Sequence, residues 1–152
     1  MSMAVTSREQ FAITAGQLVS RDDSIALVYA EISGQFFGEV ARRRPSRVIN
    51  VGIREQLLVS VGGGLALSGL TPIVHTFGAF LAERAFEQVK LDFAHQGVGG
   101  VLVGSLGSFD ASSSGRTHQS PGDVALMATV PGMSIHAPST AREVDRVLRE
   151  AV

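Results

Sequence analysis

The sequence predicts an α/β protein: a three-layer, doubly wound, mostly parallel sheet with helices on both faces. Three observations carry that expectation. Short apolar runs rich in β-branched residues, such as SIALVYA (24–30) and TPIVHTF (71–77), alternate with helix-like segments. The runs are apolar throughout, as strands buried on both faces are. No internal repeat or long linker interrupts them, so the 152 residues read as one domain, 1–152, around one core.

In chain order, residues 6–20 predict a helix capped by Thr6 or Ser7, with Glu9 in its first turn. SIALVYA is the first strand. Residues 34–43 predict a short helix running into the basic stretch RRRPSR (42–47), and RVINV (47–51) is the second strand. Residues 53–68 predict a buried helix with Gly69 as its stop, because glycine accepts the left-handed conformation that ends helices. TPIVHTF is the third strand. The longest helix, 78–95, presents Phe80, Leu81, Ala85, Phe86, Val89, Leu91 and Phe93 as a broad apolar stripe. VGGVLVGS (98–105) is the fourth strand, and a polar loop, 106–123, follows. A helix begins near Asp123, MSIHAP (133–138) is a fifth strand, and Ser139 caps a last helix. Parallel sheets bind ligands beyond the carboxyl ends of their strands. The expected site loops are therefore 31–35, 52–56, 77–80, 105–118 and 137–139.

Composition narrows the function classes. The net charge of −1 gives no field suited to nucleic acid or an anionic membrane. No cysteine is present, which excludes disulfides, thiolate catalysis and cysteine-based zinc sites, and fits a cytoplasmic protein. The opening MSMAVTSREQ lacks a basic-then-apolar leader pattern, and no apolar run reaches the ~20 residues that span a bilayer.

Glu55, in NVGIREQ (50–56), is the first candidate for chemistry. It opens a helix that carries Leu57, Leu58, Val59, Val61, Leu65, Ala66 and Leu67 on every face. Two readings stand. An acid suits a helix N-terminus and Arg54 could pair with it. Alternatively, burial keeps the carboxyl protonated so that it donates a hydrogen bond. Phe77 and Phe80 lie at a strand-to-helix turn, where they either stack on a flat heterocycle or belong to the core. His118 sits in a Ser/Gly loop, either functional or idle. His75, His95 and His136 lack metal-ligand spacing and read as structural. The basic run 42–47 reads as a solvated face, with a phosphate contact as the lesser reading. The common nucleotide fingerprints are absent. VGSLG (103–107) nearly matches a nucleophile elbow, and Ser105, Asp110 and His118 follow a hydrolase order. Val103, however, occupies the position where that strained turn needs glycine.

GIREQ (52–56), TFGAF (76–80) with RAFEQVK (84–90), THQ (117–119) followed by DVALM (123–127), and PGMSIHAP (131–138) occur in one order. Together they resemble the pyrimidine-binding domain of transketolase-type, thiamin-diphosphate-dependent enzymes, over roughly residues 8–150. 1-Deoxyxylulose-5-phosphate synthase and the β-subunit of 2-oxo acid dehydrogenase E1 share parts of the pattern. The resemblance implies a thiamin-diphosphate-binding fold and transfer of a two-carbon ketol unit between sugars or sugar phosphates. It implies that Glu55 hydrogen-bonds a ring nitrogen of the cofactor's aminopyrimidine, favouring the imino tautomer that deprotonates the thiazolium carbon. Phe77 and Phe80 would line the pyrimidine pocket, with stacking on Phe80. Glu31 and Ile32 fall where the family has an Asp-Leu pair, and Ile32 would support the bent cofactor. His118 matches the substrate-facing histidine.

The departures concern the substrate side. Relatives commonly read D-G-P-T-H where this chain reads SGRTH, so Ser114 replaces an acid and Arg116 a proline. Leu106 stands where a second substrate histidine is expected, and Glu31 replaces Asp. Arg116 adds an anion contact. By the same resemblance, a separate domain binds the diphosphate and a magnesium or calcium ion through a G-D-G…N motif that this sequence lacks. The expectation is half a site, completed by a diphosphate-binding domain or subunit, in a homodimer or heterotetramer. An apolar face around 53–68 and 78–95 would be left exposed. The competing reading is a non-catalytic interaction domain on the same fold.

Overall fold

The computed structural model describes residues 5–152; the first four residues of the expected domain and of the MSMAVTSREQ segment lie outside the described residues. Four parallel strands form one sheet: β1 (Ile25–Tyr29), β2 (Val48–Asn50), β3 (Thr71–Phe77) and β4 (Val101–Ser105), in the order β2-β1-β3-β4. The chain winds one way from β1 to β2 and the other way through β3 and β4. The direction therefore reverses between β1 and β3, and the crevice for a ligand in such a sheet lies at that reversal, beyond the carboxyl ends.

Alternation along the strands feeds two cores. Leu27 and Ile73 face one side, with Phe11, Ala15, Val19, Phe37 and Leu148. That layer consists of α1 (Ser7–Arg21), α2 (Gly34–Arg43) and the last helix (Ala141–Ala151). Val28 and Val74 face the other side, with Leu58, Val59, Leu81, Ala85, Val89 and Phe93. That layer consists of α3 (Glu55–Leu67) and the segment 80–94. The expected three-layer, doubly wound α/β architecture is thus present. Among the described residues no helix is long and apolar enough to cross a membrane.

Local signals account for most element ends. Thr6 caps α1 through a reciprocal capping box with Glu9. Gly69, at φ +86°, follows α3, and the Gly69 and Leu70 N–H groups return to the Ala66 and Leu65 carbonyls in a Schellman closure. The basic run is answered within the chain: Arg43 pairs with Glu39, Arg44 with Asp23, and Arg47 Nε donates to the Asp23 carbonyl at 2.9 Å.

Four expectations are corrected. Residues 133–138 form no strand. Ile135 and His136 are exposed, and Pro138 has no N–H to give a ladder, so β4 remains an edge. The helix expected over 78–95 is three short pieces: a π-helical turn Phe80–Arg84, α4 (Phe86–Gln88) and a second π-helical stretch Val89–Ala94. The last helix is capped by Thr140, not Ser139, through a second capping box with Glu143. Finally, α3 is not buried all round. It lies on the sheet by the stripe Glu55, Leu58, Val59, Gly62 and Gly63, and leaves Leu57 and Leu67 exposed, as it does Ile53 just ahead of it. Apolar side chains expected to be exposed near 53–68 are thus exposed, and so is Leu91 in the 78–95 segment.

Candidate functional site

The site gathers at the carboxyl edge of the sheet. The loop after β1 is backbone-strained: Glu31 and Ser33 have φ of +62° and +64°, which side-chain-bearing residues rarely adopt. Two side-chain systems hold it. On one side a buried chain runs Arg8–Ser33–His75–Val103. Arg8 Nε donates to Ser33 Oγ at 2.8 Å, Ser33 Oγ lies 2.8 Å from His75 Nε2, and His75 Nδ1 lies 3.0 Å from the Val103 carbonyl. A carbonyl only accepts, so Nδ1 carries the proton and Nε2 accepts from the serine hydroxyl. Burial is the main reason that the His75 pKa falls to about 4. The structural reading of His75 holds: it is an anchor.

On the other side stands Asn50, at the end of β2. Its Oδ1 accepts from the N–H groups of Glu31 (3.2 Å) and Gly52 (3.0 Å), and its Nδ2 donates to Glu31 Oε2 at 2.9 Å. One amide thus ties the loop carrying Ile32 to the loop leading into Glu55. It also draws Glu31 towards Asn50 and leaves half-buried Ile32 as the apolar residue of that loop.

The aromatic cluster is built by β3 and the loop after β4. Phe77 ends β3 and Phe80 opens the π-helical turn, with ring centroids 5.9 Å apart. Their close approach to the 106–118 loop depends on glycine. A Cβ on Gly104 would lie 2.8 Å from the Gly78 Cα. The loop is closed at its base by Ser120 N–H on the Ser108 carbonyl (2.9 Å) and by Asp123 accepting from Ser108 N–H (2.8 Å). Closure brings His118 against both rings, 5.7 Å from Phe77 and 5.1 Å from Phe80. Arg116 is exposed and lines a cavity of about 310 Å³ with Phe80, Glu83, Arg84 and Thr117. His118 Nδ1 meets Thr117 Oγ1 at 2.9 Å, and among the described residues neither Ser105 nor Asp110 hydrogen-bonds the His118 ring, so the hydrolase order of these three is not assembled as a triad.

Glu55 is 2% exposed. The expected partner Arg54 is not its partner; Arg84, from the end of the π-helical turn, donates Nη1 to Glu55 Oε2 at 2.8 Å. Glu55 is therefore an acceptor in an ion pair, the first of the two readings offered for it, with Arg84 in place of Arg54. The same Arg84 guanidinium lies 3.9 Å from the centre of the Phe80 ring. Sequence reasoning missed Arg84 and Asn50. The signals were there: an arginine four residues after Phe80 on one helix face, and an asparagine two residues before a turn glycine. Thr76, next to Phe77, carries a buried hydroxyl with no hydrogen-bond partner among the described residues. Among the described residues no group of three or more His, Cys, Asp or Glu is arranged to hold a metal ion.

With this geometry in hand, comparison with known proteins is decisive. Residues 3–152 match the family described as transketolase, pyrimidine binding domain. The chain belongs to this family. It is 42% identical to an uncharacterised 33.6 kDa protein in the fasciation locus of Rhodococcoides fascians, over 93% of this chain and 46% of that protein. It is 32% identical to one of the apulose-4-phosphate transketolase subunits of Phocaeicola vulgatus, over 95% of this chain and 47% of that relative. A solved split-gene transketolase, described as an inactive beta4 tetramer, superposes with a TM-score of 0.84 at 27% identity, over 97% of this chain and 47% of that one. The chain thus spans under half the length of these relatives. Family membership implies thiamin diphosphate as the cofactor. The residues fit its pyrimidine end, because an aromatic face (Phe80) and a buried carboxylate (Glu55) stand side by side, bridged by one side chain.

Proposed function

We propose that this chain is the pyrimidine-binding half of a transketolase-like enzyme that transfers a two-carbon ketol unit between sugars or sugar phosphates, with a diphosphate-binding domain or subunit as its partner. The observation that carries the reading is a 2%-exposed carboxylate, Glu55, at the start of α3 and beside the Phe80 ring. When bound, thiamin diphosphate supplies the carbon nucleophile and the electron sink that the amino acids lack. The chain's residues do the rest. Phe80 offers a ring face for stacking and Phe77 walls the pocket. Glu55 holds and returns a proton at its carboxylate, out of reach of bulk water. Ile32 packs as an apolar prop, with Glu31 beside it tied to Asn50. The magnesium or calcium ion and the diphosphate belong to the partner, in a homodimer or heterotetramer, and the protein works in the cytoplasm.

His118 and Arg116 face the substrate side. His118 is pinned against both phenylalanines, which supports a fixed hydrogen-bonding role. Arg116 is exposed on the cavity rim, which supports an anionic group on the substrate. Calorimetric titration of thiamin diphosphate and magnesium into the chain, alone and with its diphosphate-domain partner, tests the half-site. Binding is expected only with the partner; no binding even then would move the assignment to a non-catalytic interaction domain.

A further inference from the structure

One side chain takes both contacts that the proposed pyrimidine seat has to offer. Arg84 donates to the Glu55 carboxylate at 2.8 Å and lays its guanidinium 3.9 Å from the Phe80 ring centre. A planar, cationic, hydrogen-bonding group stacked on an aromatic ring imitates an aminopyrimidine in shape and in polarity. The backbone makes this placement. Phe80 and Arg84 are the first and last residues of a π-helical turn closed by Ala85 N–H on the Phe80 carbonyl at 3.2 Å. Positions four apart there share a face, and π-helical turns recur at functional sites. The Gln56 side chain fastens the Arg84 carbonyl to α3 at 3.2 Å, so the backbone is held independently of the guanidinium's contacts.

We propose that Arg84 is the placeholder of the pyrimidine seat, covering Glu55 and Phe80 until the cofactor's ring displaces it. The proposal rests on the cofactor reading given above. Its physical basis is that a buried carboxylate is costly without a partner. A half-site that waits for a cofactor therefore needs a stand-in. Arg84 is suited to leaving: its side chain is 42% exposed, and among the described residues its guanidinium has one hydrogen-bond partner, Glu55. The cavity beside it, lined by Glu83 and Arg116 among others, gives the displaced guanidinium room. The arrangement also accounts for Glu55 being an acceptor in the free chain. It becomes the ring's partner only when Arg84 withdraws.

The test titrates 4-amino-5-hydroxymethyl-2-methylpyrimidine, the detached ring, into the complex of this chain with its diphosphate-domain partner, as wild type and as Arg84→Met, with binding read by NMR. Removing the placeholder is expected to tighten binding at least tenfold. Because Arg84→Met leaves Glu55 without its partner and can cost folding, a second measurement uses wild type alone: the Arg84 side-chain 15Nε–H signal is expected to shift and exchange faster as the ring binds. Equal binding by both proteins, with an unmoved Arg84 signal, overturns the placeholder and leaves the pyrimidine seat intact. Failure of the ring to bind either protein overturns both ideas together.

Discussion

Gly63 and Gly64 are neighbours on α3, yet alanine at the two positions should act in opposite directions. Gly63 lies on the stripe that packs α3 against the rest of the fold, and a Cβ there would meet the Asp92 carbonyl oxygen at 2.6 Å and the Asp92 Cβ at 2.9 Å. The first obstacle is backbone and cannot rotate away, so one layer must move. Overpacking of this kind costs about 3 kcal/mol at its usual upper end, against ~1 kcal/mol gained from better helix propensity. The net expectation for Gly63→Ala is a loss of about 2 kcal/mol. Gly64 points to open space, so Gly64→Ala keeps the gain of ~1 kcal/mol. In a chain of this size the pair should differ in melting temperature by roughly 6–12 °C. Paired urea and thermal unfolding reads this directly. Because Glu55 belongs to the same buried stripe, a shifted α3 should also weaken cofactor binding in the Gly63 variant alone. Equal stabilisation by both alanines would refute the argument that α3 owes its position to that close approach.

Two further expectations come from the anchors of the β1 loop. His75 is neutral in the folded state, with its pKa lowered to about 4 from the ordinary 6.5, so the unfolded chain binds the extra proton between those values. Its contribution is intact above pH 6.5 and is lost as pH falls towards 4, by roughly 3 kcal/mol in all. Urea midpoints measured across that range should fall in wild type and fall less in His75→Gln; parallel slopes would contradict the assignment. Asn50→Ala removes three hydrogen bonds from an exposed amide, a loss of about 1–2 kcal/mol. Amide exchange at Glu31 and Gly52 should accelerate more than elsewhere, and unchanged protection there would remove Asn50 from its clamping role.

What the sequence revealed was local, and what it concealed depended on tertiary placement. Thr6 and Gly69 were legible because a capping box and a left-handed stop are written within a few residues. The alternation of apolar runs and helices was enough for the layers. MSIHAP failed as a strand because a short apolar run does not say whether a neighbour will pair with it. The 78–95 stripe kept its apolar face but not its α-helical winding, and the π-helical turn is what brings Arg84 over Phe80. Adjacency offers Arg54 as a possible partner of Glu55, whereas the actual partner lies 29 residues away. His118 is the opposite case. Spacing alone left it idle or functional, the motif resemblance raised it, and the closed 106–118 loop sets it against both phenylalanines.

The role proposed for Glu55 is best put at risk by ketol transfer in the reconstituted complex of this chain with its diphosphate-domain partner, comparing wild type with Glu55→Gln. The glutamine keeps the shape and a hydrogen bond but cannot hold or return a proton. A fall in kcat of about 10²–10⁴-fold is expected, the range of a lost proton-transfer group, with cofactor still bound by calorimetry. Turnover by Glu55→Gln at the wild-type rate would contradict that role, and would leave Glu55 as no more than the first residue of α3.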